Sequence, residues 1–479
     1  MKNRRPFCFL VLLLISVGSP SYLLSQNLKM GGVRVWDHEK RQFGEVSDLE
    51  VAQGKIKSIK ASPRVSGGEV RYLLPGFCDA SVNLGSNSFG GGTTKDNLSV
   101  YLQSFISTGF SHVESVGDPD LTRVREEITK GKWVGPILLQ SQKPILLSSH
   151  VSEPPGPTKQ YQMVGLEDAK ISISETKEQR TRHLPVFLKK KDGLSFPQTN
   201  LFQWRKDWEG KNYIPIIYSF SEELAWQDAL DTGYLVIFQP MPPHSRLSSI
   251  QTRSFQWAPI LNVAYFQSMK ENPVLLKERI REIAQLHPVF REQLMDGFLS
   301  TLPEVGDPTI SQESFQDFQG IWKTFKEHPN LKQKLIFASG SGHWGAFPGV
   351  AAIQEAYLWE EAWKETRGDF VVPTSEPETS FWKKLFSFSP KEKVLLPTHS
   401  DQESIPENRI DLLQILTEKT CGFIGADHEG KIKTGGPAHF SVFKENPLKR
   451  TSGIFAIESM VLGGKLVYTP KPQKVGKKP

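Results

Sequence analysis

Leu73-Leu74-Pro75-Gly76-Phe77-Cys78-Asp79-Ala80-Ser81-Val82-Asn83-Leu84-Gly85 is the stretch on which the fold turns. The chain bends at Pro75-Gly76 and enters an apolar run that alternates large and small residues, the pattern of a buried strand. Side chains two apart on a strand leave the same face, so Ser81 and Asn83 share one side. Upstream, residues 28–72 read as β: Val33-Arg34-Val35-Trp36, Val46 to Val51 and Lys55 to Ile59 are short runs, with Gln53-Gly54 as a turn between the last two. The C-terminal end reads alike. Gly430 to Lys433 leads into His439 to Phe443, followed by Ile454 to Val461 and Lys465 to Tyr468. Each set leaves an apolar face uncovered, and packing one on the other covers both. Residues 28–75 and 425–470 are therefore expected to form one composite β-sandwich.

The same stretch resembles the first barrel strand of the amidohydrolase superfamily, whose hallmark runs Pro-Gly, an apolar pair, Asp-x-His-x-His. Gly425-Ala426-Asp427-His428-Glu429-Gly430-Lys431-Ile432, Gly435-Gly436-Pro437-Ala438-His439-Phe440 and Asn446-Pro447-Leu448 are similar to its closing signature, with Ala438-His439 where an Ala-Asp pair is usual. The likeness is nearest to imidazolonepropionase-like and prolidase-like members. It implies an α/β chain, a TIM-like (β/α)8 barrel over residues 76–424 with the composite sandwich attached. Between the two ends, strand-like and helix-like segments do alternate. Strands are expected at Ser111 to Val116, Pro136 to Leu139, Leu184 to Lys189, Ile214 to Tyr218, Tyr234 to Gln239, Trp257 to Ala264 and Lys334 to Gly340. Leu98 to Ser107 and Leu121 to Thr129 have helical spacing. Residues 144–183 are loop-rich, 267–330 read as an added helical layer, and 364–408 as a surface excursion.

In the family the first-strand histidine pair holds a metal that polarises the scissile carbonyl and acidifies a bound water. Here those places are Ser81 and Asn83. Carried over strand by strand, the resemblance puts the fourth-strand lysine at Lys189, the fifth-strand histidine near Tyr218, the sixth-strand histidine at Gln239 and the eighth-strand Asp at Gly342. Serine, asparagine, tyrosine and glutamine offer neutral oxygen, and glycine offers no donor, whereas Zn²⁺ takes imidazole, thiolate or carboxylate. The expectation is a barrel without its metal and with no cofactor, its old cleft serving to bind a small molecule or a protein. The contrary reading keeps a zinc-dependent or otherwise rebuilt hydrolase of C–N bonds, with Asp79, Glu114, Asp118, His150 and His343 as a relocated site. A third reading assigns contacts with an envelope protein to 267–330 and 364–408. Ser339-Gly340-Ser341-Gly342-His343 lacks the Gly-x-Ser-x-Gly frame of a nucleophile turn, and Gly90 to Thr94 lacks the Gly-Lys-Ser/Thr of a phosphate loop.

Lys2, Arg4 and Arg5, the apolar run Phe7 to Val17, and small residues ending near Ser25 have the layout of a secretory signal over 1–25. The run is too short to span a bilayer, so an exported protein, periplasmic or secreted and without a span after cleavage, is expected. The formal charge of +6 comes from the two ends. Without Lys2, Arg4, Arg5 and the four lysines of the 471–479 tail, 51 basic residues face 52 acidic ones. A near-neutral body excludes a nucleic-acid footprint, and the tail reads as a solvated disordered end. Beyond the leader, Cys78 and Cys421 suffice for one bridge and are too few for a disulfide framework.

Overall fold

The computed structural model describes residues 27–62, 69–85, 95–116, 121–142, 145–148, 162–163, 181–189, 198–210, 212–219, 231–234, 236–238, 254–263, 265, 329–343, 345–363, 405–426, 430–449 and 451–469. The expected signal, the basic tail, nearly all of both inserts, Asp118, His150 and Gln239 lie outside the described residues.

In chain order the strands are β1 (Leu28–Asp37), β2 (Gln42–Ala52), β3 (Lys55–Ala61), β4 (Arg71–Pro75), β5 (Phe77–Val82), β6 (Phe110–Ser115), β7 (Ile137–Gln140), β8 (Ile145–Ser148), β9 (Gln162–Met163), β10 (His183–Lys189), β11 (Ile214–Ser219), β12 (Val236–Phe238), β13 (Gln256–Ala258), β14 (Phe440–Phe443), β15 (Ser459–Leu462) and β16 (Lys465–Tyr468). The helices that matter below are α1 (Lys95–Ser107), α2 (Thr122–Thr129), α3 (Gln198–Gly210), α4 (Val350–Trp363), α5 (Glu407–Gln414) and α6 (Thr420–Phe423). A π-helical turn, Ile415–Lys419, joins the last two.

Strands from the two ends of the chain interleave in one seven-stranded sheet, ordered β16-β15-β14-β4-β1-β2-β3. The β2–β3 hairpin closes through Gln53 and Gly54, both at positive φ (52° and 76°), a pair whose twist suits a two-residue turn. The sheet also bends back on itself. Ile56 N donates to Gly436 O at 2.9 Å and Gly435 N to Ile56 O at 2.8 Å, so the segment before β14 also lies along β3. Val33, Leu49, Val51, Ile56, Leu73, Phe440 and Val442 fill the enclosed space. Each such side chain contributes about 1.5–3 kcal/mol by leaving water. Ile454 to Val461, expected as one strand, divides into a short helix (Thr451–Ile454) and β15.

The middle of the chain forms two wholly parallel sheets, β5-β6-β7 and β13-β12-β11-β10-β8-β9. Their edges are linked. Thr181 N donates to Gln140 O (2.7 Å) and Gln142 N to His183 O (2.8 Å). On the other side residues 335–341 reach both neighbours, through Ile336 N to Trp257 O (3.0 Å), and through Ala80 N to Phe337 O (3.0 Å) and Gly340 N to Ser81 O (3.1 Å). Lys334 to Gly340 was expected as a regular strand, and the structure gives isolated bridges instead. Gly340 and Gly342 sit at φ +63° and +95°, which breaks the ladder. The expected seventh strand stops early for a similar reason: Ile260, at φ +49°, turns the chain into residues 261–263. β8 was not foreseen, because its four residues sit inside a loop-rich composition.

α6 reaches the base of β5, where Cys78 and Cys421 form a disulfide between residues 343 apart in sequence. Thr420 Oγ1 accepts Phe337 N at 2.8 Å, so the same helix also holds the start of the 335–341 segment. Among the described residues no helix is long and apolar enough to cross a membrane.

Candidate functional site

The site is assembled on β5. A Cβ at Gly76 would stand 2.4 Å from Ser111 Cβ, so the turn into the strand needs glycine. Asp79 follows, fully buried, and its Oδ1 accepts the backbone N–H of Ser81 (3.2 Å) and of Ser339 (3.0 Å). One carboxylate thus ties β5 to the 335–341 segment. Burial raises its pKa to about 7, against the opposing pull of its hydrogen bonds to Ser339 and Ser81.

The positions that the family resemblance singled out gather around this carboxylate, save for two. Tyr218 OH donates to Ser81 Oγ at 3.4 Å across from β11. Asn83 N donates to Ser341 O at 2.7 Å. Gly342, at φ +95°, lies so close that a Cβ there would stand 1.9 Å from Asn83 O. Lys189 ends β10, paired in register with Ser148, and Gln239 falls outside the described residues. Ser339 and Ser341, adjacent to the group and not singled out as ligands, join their hydroxyls at 2.6 Å.

Beneath these hydroxyls the interior is aromatic. Tyr218 stacks on Phe187 (4.8 Å between ring centroids) and meets Phe238 edge-on at 5.3 Å. Phe238 lies 5.7 Å from Phe423 of α6, which stacks on His183 at 4.3 Å. Rings at these separations attract one another beyond simple burial.

Glu114, one of the relocated-site candidates, faces this column. Its Oε2 meets His183 Nδ1 at 2.6 Å, and Thr181 Oγ1 donates to its Oε1. His183 had no place in the sequence reading. It stands 69 residues from Glu114, and nothing in the local pattern marks the pair. His343 is half-buried past the last parallel segment, held by its N–H to Gly340 O at 3.0 Å, and burial lowers its pKa. Among the described residues no hydrogen bond or ion pair joins His343 to Glu114 or Asp79.

Glu355 on α4 was also missed as a site residue. Its carboxylate accepts Leu261 N (3.0 Å), Asn262 N (2.7 Å) and Trp359 Nε1 (2.6 Å). Burial raises it to about 8, the hydrogen bonds oppose the rise, and the charge of Asp79 adds a little to it.

These groups give the fold a defined pH response. Asp79 and Glu355 have raised pKa values, so the stability they confer is full below about pH 4 and is lost as pH climbs through about 7 and 8. His38, His112 and His439 are lowered by burial, to about 4, 3 and 4, so their contribution is present above about pH 6.5 and is lost on acidification. The opposing limbs place maximal stability near about pH 6. Between about pH 4 and pH 8, Asp79→Asn should remove roughly 4 kcal/mol of the fall in urea-unfolding free energy that the Asp79 titration causes. An unchanged fall over that range would refute the assignment.

The donors do not fit zinc. Hydroxyl, amide and phenol oxygens surround a glycine, and among the described residues no three His, Cys, Asp or Glu side chains converge as a metal site.

No family profile and no curated protein matches the sequence. Solved structures do. A Xaa-Pro dipeptidase with bound methionine in its active site superposes with a TM-score of 0.61 at 14% identity, over 93% of this chain and 100% of that one. A putative prolidase from Bifidobacterium longum gives 0.61 at 12%, over 94% and 97%. The ochratoxinase of A. niger gives 0.56 at 10%, over 93% and 96%. At such identity the likeness is one of backbone. Together with the Pro75-Gly76 turn and the parallel strands that follow it, it shows that this chain has the fold of the prolidase-like amidohydrolases.

Proposed function

We propose that this is an exported amidohydrolase-fold protein that no longer performs divalent-metal hydrolysis and acts by binding a small molecule or an envelope protein. The strands β5, β6, β7, β10, β11, β12 and β13, with residues 335–341, are read as the eight staves of one barrel, with the strand tips as its former active face. The observation that carries the proposal is the approach of Gly342 to Asn83. A side chain at 342 would collide with the Asn83 carbonyl at 1.9 Å, so the space a ligating acid would need is taken by main chain. Around it, Ser81, Ser339, Ser341 and Tyr218 satisfy one another with hydroxyls. Export rests on the leader-like residues 1–25 and on the Cys78–Cys421 bridge, since disulfides persist in oxidising compartments.

The Glu114–His183 contact favours a second reading, a living hydrolase of C–N bonds with a rebuilt site. A carboxylate on Nδ1 fixes the imidazole tautomer and leaves Nε2 as a base, the arrangement used in general-base catalysis. One experiment separates the two. Protein incubated with zinc and a panel of Xaa-Pro dipeptides is expected to release no proline. Turnover that His183→Gln abolishes would replace the first reading by the second.

A further inference from the structure

His439 sits where three elements meet. Its carbonyl accepts Gly76 N at 3.1 Å, at the bend from β4 into β5. Its Nδ1 accepts Gly463 N at 3.2 Å, in the turn between β15 and β16. Its ring meets that of His112 on β6 edge to face, with 5.5 Å between centroids and 78° between planes. The same place is a seam of the seven-stranded sheet. Ala438 N donates to Gly54 O (2.8 Å) and Gly464 N to Ala438 O (3.1 Å), so Ala438 joins the β2–β3 turn to the β15–β16 turn. The turns are in contact: a Cβ on Gly464 would stand 2.9 Å from Val51 Cγ1 and 3.2 Å from Gly54 Cα.

A backbone N–H only donates, so His439 Nδ1 carries a lone pair and the ring is neutral, with its hydrogen on Nε2. A proton on Nδ1 would turn that acceptor into a donor facing a donor, and the bond to Gly463 would be lost. His112 is neutral as well. Ser111 Oγ donates to Phe77 O at 3.2 Å and accepts the Nδ1–H of His112 at 2.9 Å, which leaves Nε2 as the basic atom of that ring. Burial holds both imidazoles down, His112 to about 3 and His439 to about 4, and His439 lowers His112 further.

Among the described residues the titratable group that faces His439 is His112. The neighbouring carboxylates are engaged elsewhere: Asp79 of β5 with Ser81 and Ser339, Glu114 of β6 with His183 and Thr181. Lys55 at the start of β3 and Lys465 at the start of β16 have the same sign as a protonated imidazole. Two charged rings would therefore repel with no described acid bonded to either.

We propose that His439 is an acid-sensitive latch: a proton on its Nδ1 frees the β15–β16 turn and, with His112, loosens the seven-stranded sheet from β6. The latch stands whether or not hydrolysis survives, because neither histidine is among the positions read as lost divalent-metal ligands.

Amide exchange on the full chain tests it, read at each pH as protection relative to the intrinsic exchange rate. An opened turn lets His439 take a proton near about pH 6.5, whereas the closed turn does not. Protection at Gly463 and Gly464 should therefore fall on the order of a hundredfold between about pH 6.5 and about pH 4, while β10 and β11 keep theirs. His439→Asn puts an amide oxygen where Nδ1 stands and accepts the Gly463 N–H at every pH, so protection of the turn should become independent of pH. A turn in the unmodified protein whose protection does not change with pH would overturn the proposal, as would a fall that the asparagine variant keeps. If that variant does not fold, the unmodified protein still decides: an equal fall in the turn and in β10 and β11 would be global acid unfolding and would overturn the latch.

Discussion

Gly342→Ala should lower the urea-unfolding free energy by about 4 kcal/mol or more, and Gly342→Asp should do no better while restoring no metal binding. The new Cβ would lie 1.9 Å from Asn83 O and 2.8 Å from Asn83 C. Those are backbone atoms, and Asn83 is held in place by its own N–H to Ser341 O at 2.7 Å, so neither can swing aside as a side-chain tip could. The residue also sits at φ +95°, where any L side chain adds strain of about 1–3 kcal/mol. A loss below about 1 kcal/mol would mean that the Asn83 and Gly342 main chains do not touch. The same result would reopen room for a ligand at that position.

The second large effect concerns the bridge. Replacing Cys78 and Cys421 together by alanine should cost about 4–5 kcal/mol, the upper end of the range, because the loop that the bridge closes spans 343 residues. Both cysteines are 0% exposed, so a thiol reagent should label neither Cys78 nor Cys421 in the native protein, while both should react once it is reduced and unfolded. The bridge fastens α6, and with it Phe423, whose ring stands between His183 and Phe238. Loss of the bridge should therefore loosen the aromatic column before it loosens the terminal sheet, visible as faster amide exchange in β11 and β12 than in β1 and β2. Two free thiols in protein recovered from an oxidising compartment would contradict the pairing.

Much of the frame was readable because it is local. Val46 to Val51 and Lys55 to Ile59 alternate around Gln53-Gly54, and they form β2 and β3 with that pair as the turn. The apolar runs of β11 and β12 announce buried parallel strands in the same way. What escaped the sequence is created by distance. Glu114 meets His183, Glu355 caps Leu261 and Asn262, and the two ends of the chain share a single sheet, all through contacts that no periodicity encodes. The 335–341 segment misled for a different reason: its apolar first half reads as strand, and the positive-φ glycines that break the ladder lie at its end. At the site, residue identity carried the chemistry. Ser81, Asn83 and Gly342 could be placed from the sequence at the positions where the family resemblance expects metal ligands, whereas the contact between Gly342 and Asn83 could not be read there.

The proposed loss of the divalent centre is tested most directly by the metal content of protein purified without chelators. Elemental analysis should find zinc, manganese, iron and cobalt far below one equivalent per chain, before and after incubation with zinc and desalting. One equivalent of any of them, retained through desalting and released by Ser81→Ala or Tyr218→Phe, would contradict the proposal.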